Sequence, residues 1–521
     1  MRTKRKNVCQ ICRSRKLACD GKQPSCSQCF LRQIPCSGYR QEFVFVPQIS
    51  SGFKNQAGIE NESKRITGHQ NKVIEKSNDD HIRPIKNFQL VSPVRMDAQL
   101  TPRCYDIEDD IRIIVQHYAP TNGKAPAEFN PLHNQICGAW AEVLLLLSAD
   151  MRKKQFLLSA IQTLATTLRH HELGHELCQP QILEMYCASL GLLRKALEEA
   201  RGVFHIEHSA AIICLAVCDV SAKLGDSDFL HKTDRFMKIM IPKSEPTLES
   251  GWMMHMKGVG DLAERLGPDP FSSGILHTLF IGFRPLLLIS TILQRRETFL
   301  ARVEWTTTPF RGHPSSMMQL LLNKASALPA LLERYDDMID LEVLSNTVAV
   351  EQLRKDYLNI LKSFQEWELM LQSEVPCPVF WSKSDPSNAS SSHADALWFP
   401  NIMTANSLTH CWAFRIIAKK HLRRLNAVVS ATKKDGQRVS LRTLSLPTRE
   451  SSVAALADMI CDSMPYLMQP DMKLYGPGSA YFPLPTAIRF FQSDPGYYTS
   501  QLSRCQQILD RLSSMGFHFR T

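Results

Sequence analysis

The sequence predicts three parts: a small cysteine-rich module at the N-terminus, a flexible linker, and a large, mostly all-α domain. Six cysteines crowd into residues 9–36, and residues 50–104 are rich in Ser, Asn, Lys, Gln and Asp. After about residue 105, apolar residues recur at steps of three and four, as in amphipathic helices. The predicted boundaries are residues 1–40 for the module, 41–104 for the linker and 105–521 for the helical domain.

The positive charge of the chain is concentrated at its N-terminus. The composition is that of an ordinary globular protein, with 44% hydrophobic and 21% charged residues, and the formal net charge is +10. Residues 1–40 contain ten Lys or Arg and one Asp, which accounts for nine of those ten charges. Such asymmetry indicates a polyanionic partner, and nucleic acid fits it better than a membrane.

Two features bear on the cellular compartment. No apolar stretch follows the charged N-terminus, so we expect no secretory signal. Residues 275–293 are apolar enough to be checked as a membrane span, but Arg284 and Pro285 interrupt them, and a charge at bilayer depth is costly. We therefore expect two buried helical pieces bent at Pro285, and a soluble, intracellular protein without a membrane partner.

The spacing of the six cysteines predicts a metal centre. The pattern C-x2-C-x6-C occurs twice with an offset of 17 residues. A reducing interior disfavours disulfides, and so short a segment cannot bury enough apolar surface to fold unaided, so we expect zinc as its staple. Two tetrahedral sites need eight ligand contacts, and six sulfurs supply eight if two of them bind both metals. The pattern therefore predicts two Zn²⁺ ions. The expected ligands are Cys9, Cys12, Cys19, Cys26, Cys29 and Cys36.

These residues resemble the fungal zinc binuclear cluster (Zn2Cys6) transcription factors. The likeness rests on the six cysteines, the basic loop "CRSRKLAC" and Pro24, which precedes the fourth cysteine. The resemblance implies that Cys9 and Cys26 bridge both metals. It also implies two short helices, at roughly residues 13–18 and 27–32.

The same resemblance implies how the module reads double-stranded DNA. The first helix is expected to enter the major groove and to read a CGG triplet, with Arg15 and Lys16 at the positions of the family's base readers. Arginine and lysine suit this task because guanine presents two acceptors, O6 and N7, on one edge. Arg13 is expected to contact phosphate. Ala18 stands where many members have lysine, which removes one expected phosphate contact.

The predicted function is therefore that of a nuclear, sequence-specific DNA-binding regulator of RNA polymerase II transcription, and not of an enzyme. The resemblance adds control of a metabolic gene cluster, and the transcription machinery or co-regulators as partners of the helical domain. The linker contains no sustained heptad of leucines, so homodimerisation is left open. A small-molecule inducer of the helical domain is a further alternative, for which no sequence motif marks a pocket.

One motif supports a different class of protein. "HELGH" at residues 171–175 is a complete H-E-x-x-H, in which His171 and His175 would bind zinc on one helical face and Glu172 would act as general base. The metzincin extension is missing, because Cys178 and Gln181 stand at its positions. A zinc metalloprotease is therefore the alternative hypothesis, and a helix end with a glycine stop is the preferred interpretation.

The helical domain shows a clear order of elements. We expect an amphipathic helix over residues 353–371, irregular segments over residues 374–400 and 427–448, and Cys214 and Cys218 in the core. The remaining predicted helices span roughly residues 107–118, 136–147, 152–171, 180–200, 208–223, 252–266, 316–334, 403–425 and 498–514.

Overall fold

The chain divides into two units, residues 1–96 and 97–521, and each is described by itself. The computed structural model describes residues 19, 27–32, 106–118, 138–147, 154–173, 179–201, 203, 205–222, 251–340, 347–375, 378–383, 396–435 and 451–515. The first unit contributes helix α1, Ser27–Leu31. The predicted linker, residues 41–104, lies outside the described residues.

The second unit is built almost entirely of helices where the structure describes it, in agreement with the predicted fold class. Its first half contains α2 (Ile107–Tyr118), α3 (Ala139–Leu147), α4 (Gln155–Leu173), α5 (Gln179–Glu199), α6 (Ile206–Ala222), α7 (Gly251–Leu266), α8 (Gly274–Gln294), α9 (Val303–Thr307), α10 (Met317–Ala325) and α11 (Leu328–Asp340).

The second half of this unit adds further helices and a small β-ribbon. Its elements are α12 (Thr347–Glu374), β1 (Trp381–Lys383), β2 (Ala396–Trp398), α13 (Ile402–Asp435), α14 (Ser451–Asp462), α15 (Met464–Leu467), α16 (Tyr475–Ser479), α17 (Pro483–Phe491) and α18 (Thr499–Ser514).

Helix α12 shows how apolar spacing produces the core. Leu353, Tyr357 and Phe364 lie on one face of the helix and are all fully buried, and that face packs on α13. Trp367 continues the same face, and its indole N–H donates a hydrogen bond of 2.8 Å to the carbonyl of Met317. The large aromatic side chain is thus buried without leaving its polar atom unsatisfied.

Most helices pack against other helices of the same half of the unit. In the first half, α4 packs against α2, α5 and α6, and α7 packs against α6. In the second half, α13 is the central helix, with α12, α14 and α17 against it. Cys214 and Cys218 on α6 are fully buried, as predicted, and burial raises the pKa of each thiol well above its usual value. They therefore stay protonated and act as small apolar side chains.

Helix α8 corrects the prediction of two helical pieces, because it runs without interruption through Pro285. Proline has no N–H, so the carbonyl of Ile281 lacks its usual helical donor. The side chain of Gln319 replaces that donor, with Nε2 lying 3.2 Å from the Ile281 oxygen. Within the described residues α8 is the one helix long and apolar enough to cross a membrane, and 72% of its apolar window is buried in the protein.

Several other elements differ from those predicted, among them α13, which extends to Asp435 into the segment expected to be irregular over residues 427–448. The single helix expected over residues 316–334 is divided into α10 and α11, and Pro329 lies in the first turn of α11, where a missing N–H is tolerated. The segment expected to be irregular over residues 374–400 contains the antiparallel pair β1–β2. Helix α14 has no counterpart among the predicted helices.

Candidate metal centre and nucleic-acid interface

The described part of the cysteine-rich module is Cys19 together with helix α1 and Arg32. Helix α1 coincides with the second of the two short helices that were expected from the resemblance. Cys29 lies on this helix and is 1% exposed, and Cys19 is 2% exposed. Arg32 at the end of the segment donates a hydrogen bond of 2.7 Å to the Oε1 atom of Gln28 on the exposed side.

The burial pattern in this module is the reverse of that in an ordinary hydrophobic core. Leu31, the larger apolar residue, is 73% exposed, whereas the two described cysteines are almost completely buried. A segment of this size has too little apolar surface to hold itself together, so its interior has to be stabilised in another way. Buried sulfur atoms at its centre suit a soft metal such as zinc, which thiolates bind in closed tetrahedral sites. The described residues therefore fit a zinc-stapled module.

The remaining predicted site residues cannot be placed in the same way. Cys9, Cys12, Cys26 and Cys36 lie outside the described residues, and so do Arg13, Arg15 and Lys16. Their roles as metal ligands and as DNA contacts stay predictions.

The "HELGH" motif lies at the C-terminal end of α4. Helix α4 is described as far as Leu173, so His171 and Glu172 belong to its last described turn, and the stop at Gly174 stays a prediction. Gly174 and His175 lie outside the described residues, as do the side chains of His171 and Glu172. Across the described ranges, no group of three or more His, Cys, Asp or Glu is arranged to hold a metal ion.

The helical unit contains a further feature that no sequence motif indicated. An apolar cavity of about 130 Å³ lies between residues of α3, α6, α7 and α8 on one side and residues of α13 and α16 on the other. Its walls come from segments separated by more than a hundred residues, so a local sequence pattern could not reveal it. The only local signal is the aromatic content of "GPGSAYFPLP", residues 476–485, which supplies part of one wall.

Comparison with known proteins bears on the N-terminal module. The model of the fungal Zn(2)-Cys(6) binuclear cluster domain family matches residues 7–43. An uncharacterized transcriptional regulatory protein of Schizosaccharomyces pombe is 61% identical over 46 residues, a match that covers 7% of this chain and 6% of the relative. No solved structure matches the chain.

The family match and the described residues agree with each other. The matched segment includes all six cysteines of the repeated pattern, together with the basic loop between Cys12 and Cys19. The buried Cys19 lies within it, and so does helix α1, which agrees with the second short helix that the resemblance implied. Residues 7–43 therefore form a segment similar to the fungal Zn(2)-Cys(6) binuclear cluster domain.

Proposed function

We propose that this chain is a zinc-dependent, sequence-specific DNA-binding regulator of RNA polymerase II transcription, acting in the nucleus. The observation that carries the proposal is the family match over residues 7–43, which contain all six cysteines. The location of the positive charge supports it, because nine of the ten net charges fall within residues 1–40. A basic surface of this kind attracts the phosphates of DNA.

The metal centre of the proposal contains two Zn²⁺ ions. Cys9 and Cys26 would be shared between the two metals, as the resemblance implies, and Cys12, Cys19, Cys29 and Cys36 would complete four sulfur ligands for each. The burial of Cys19 and Cys29 supports this arrangement, since sulfur ligands of a closed zinc site lie inside the module that they hold together.

DNA is read by the basic residues between Cys12 and Cys19. Arg15 and Lys16 donate hydrogen bonds to guanine O6 and N7 in a CGG triplet, and Arg13 contacts phosphate. Metal ligation at both ends of this loop would present these side chains from a rigid scaffold, which lowers the entropy lost on binding.

The helical unit is the regulatory part of the proposed protein. Its partners are the transcription machinery or co-regulators, and control of a metabolic gene cluster is the wider role. The family is one of transcription regulators and not of enzymes, which agrees with the expectation that this chain catalyses no reaction. The metalloprotease alternative gains no support from the comparisons. Dimerisation on two triplets is left to experiment.

Metal analysis of the full-length chain tests the binuclear centre. We expect two zinc ions per chain, and loss of DNA binding in a strong chelator. Cys26→Ser removes a bridging sulfur and should disturb both metals, whereas Cys187→Ser, a matched change of a half-buried cysteine outside the module, should keep both. One zinc per chain in the wild type, or none, would refute the binuclear centre.

DNA binding is tested with two duplexes that differ only in the triplet. The wild type should bind a CGG-containing duplex about 10³-fold or more tightly than one in which the triplet is permuted. Equal affinity for both duplexes would contradict sequence-specific reading. The protease alternative is tested with Glu172→Gln. This variant should bind both duplexes as tightly as the wild type does, and neither the variant nor the wild type should cleave peptides.

A further inference from the structure

Aromatic rings from several helices form part of the lining of the apolar cavity in the helical unit. Trp252 and Tyr481 meet edge to face with ring centroids 6.0 Å apart, and Tyr118 and Trp140 lie 5.6 Å apart. The methylene-rich surface of Pro285 completes the wall that α8 contributes. Protein interiors are ordinarily packed without voids of this size, since an empty cavity lowers stability in proportion to its volume. A cavity of about 130 Å³ is also close to the size at which an apolar site accepts a small aromatic molecule.

The cavity wall contains a hydrogen-bond acceptor, the Nε2 atom of His410. His410 on α13 is 5% exposed, and its ring stacks on Phe482 at a centroid distance of 5.9 Å. Its Nδ1 atom lies 2.8 Å from the backbone carbonyl of Asn406. Because a carbonyl can only accept, Nδ1 carries the proton of the neutral ring, and Nε2 is left as an acceptor.

The Nε2 atom of His410 is available to a ligand. Within the described part of the chain, Nδ1 makes the ring's one hydrogen bond, and the ring's other contacts are with Phe414 and Phe482. Burial lowers the pKa of His410 to about 4, so the ring stays neutral at physiological pH. A neutral acceptor in an apolar cavity favours a neutral donor and excludes a cation that would lose its hydration without compensation.

A second hydrogen bond holds the wall beside this atom in place. The Nδ2 atom of Asn406 donates to the hydroxyl of Tyr475 at 3.0 Å, which joins α13 to α16. The histidine is therefore presented from a helix that is tied to α16, the neighbouring element on the same side of the cavity. Preorganised polar groups of this kind give orientation and specificity in pockets that are otherwise apolar.

We propose that this cavity is a binding site for a small, neutral, planar aromatic molecule of one or two rings that carries a single N–H or O–H donor. The rings of the ligand pack against the aromatic walls, and its donor forms a hydrogen bond with the Nε2 atom of His410. The proposal concerns the helical unit alone and does not depend on the DNA-binding function.

The direct test is calorimetric titration of the full-length chain with indole and with benzofuran. The two molecules have nearly the same shape and apolar surface, but benzofuran has an oxygen where indole has its N–H. We expect indole to bind with a 1:1 stoichiometry and a Kd on the order of 10–100 µM, in keeping with its few heavy atoms. Benzofuran should bind about five- to tenfold more weakly, because it cannot donate to His410.

Two variants locate the site. His410→Phe keeps a ring of similar shape but removes the acceptor, so the preference for indole over benzofuran should fall to about one. Gly478→Leu should weaken both ligands at least tenfold, since Gly478 lines the cavity and a side chain there meets nothing within 4 Å. Gly191→Leu is the matched control: this glycine is also helical with open space around it, but it lies on the exposed side of α5 and does not line the cavity, so binding should be unchanged.

Each possible result of these titrations has a different interpretation. Thermal melting of each variant verifies that it is folded. Absence of saturable indole binding by the wild type would overturn the proposal. Equal affinity for indole and benzofuran would overturn the role of His410, and Gly478→Leu binding as well as Gly191→Leu would show that the ligand binds elsewhere.

Discussion

The side chain of Gln319 forms hydrogen bonds with two buried groups, the guanidinium of Arg284 and the carbonyl of Ile281. Arg284 is completely buried, and burial lowers its pKa to about 9, which leaves it charged at neutral pH. Its Nη1 atom donates to the Oε1 atom of Gln319 at 2.9 Å, and Nη2 donates to Oδ1 of Asn323 at 2.5 Å. The other end of the same glutamine donates to the Ile281 carbonyl that Pro285 cannot satisfy. The ring of Phe310 lies 5.1 Å from the guanidinium and stabilises its charge further.

This arrangement predicts a large effect of a substitution that preserves size. Gln319→Leu should lower the free energy of unfolding by about 2–4 kcal/mol, because a buried cation and a buried carbonyl each lose a hydrogen bond. Urea denaturation measures the change. Gln352→Leu, on the exposed side of α12, is the control and should change stability by no more than about 0.5 kcal/mol. Equal effects of the two substitutions would contradict the role assigned to Gln319.

His410 predicts a pH dependence with a definite sign. Its pKa is lowered by burial to about 4, compared with 6.5 in the unfolded chain. Below about pH 6.5 the unfolded chain binds a proton that the folded chain does not accept until about pH 4. Stability therefore falls as the pH is lowered through this window, by on the order of 3 kcal/mol in total from this residue.

The prediction is tested by comparing wild type and His410→Gln in urea at several pH values between 7 and 5. The difference in free energy of unfolding between the two proteins should shift steadily in favour of the variant as the pH falls. His421, whose pKa is also lowered by burial, to about 3, is present in both proteins and cancels in the comparison. Parallel stability curves would show that His410 does not titrate as described.

At the scale of elements, the crossing of α3 and α8 depends on the absence of a side chain. A Cβ atom added to Gly282 on α8 would lie 2.3 Å from the backbone nitrogen of Trp140 on α3. Backbone atoms cannot move aside as the end of a long side chain can, so the two helices would have to separate.

We therefore expect Gly282→Ala to lower the free energy of unfolding by about 2–3 kcal/mol. The matched control is Gly258→Ala on α7, where a Cβ meets nothing within 4 Å, and which should raise stability by about 0.5–1 kcal/mol because glycine is a poor helix former. Thermal denaturation of both variants measures the two changes. Equal effects of the same sign would contradict the close approach of the two helices.

The elements that the sequence predicted well are those in which one residue pattern decides the structure. The face of α12 from Leu353 to Leu371 is buried as its spacing indicated. Helix α14 carries the same signal in Val453, Leu456 and Ile460, and it could have been recognised from that spacing. By contrast, the continuity of α8 depends on Gln319, some 35 residues away, and no local pattern reveals such a contact.

The proposed metal centre and the cavity also differ in whether a local sequence pattern reveals them. The proposed metal centre, with six cysteines within 28 residues, could be predicted from the sequence because its expected ligands are neighbours along the chain. The cavity beside His410 is not visible, because its walls are brought together by packing between distant helices. The β-ribbon was missed since each strand has only three residues, too few for alternation to be recognised.

At the scale of the whole molecule, the distribution of charge separates two kinds of contribution to DNA binding. The 481 residues after residue 40 carry about one net positive charge, so we expect the salt dependence of binding to arise almost entirely from the N-terminal module. Phosphate contacts contribute to binding on any sequence, whereas base contacts contribute only where the correct triplet is present. Substitutions within the basic loop can tell the two apart.

Lys16→Ala and Arg15→Ala should each cost about 1–3 kcal/mol on a duplex containing CGG, and much less on a duplex without it. Arg13→Ala should weaken binding to both duplexes alike and reduce the slope of log K against log salt by about one. Ala18→Lys adds a cation where many family members have one, and it should steepen that slope and tighten binding to both DNAs. A salt titration of the wild type and these four variants on the two matched duplexes gives all of these quantities. If Lys16→Ala weakened specific and non-specific binding equally, Lys16 would be a phosphate contact and the base contacts would have to be sought elsewhere in the module.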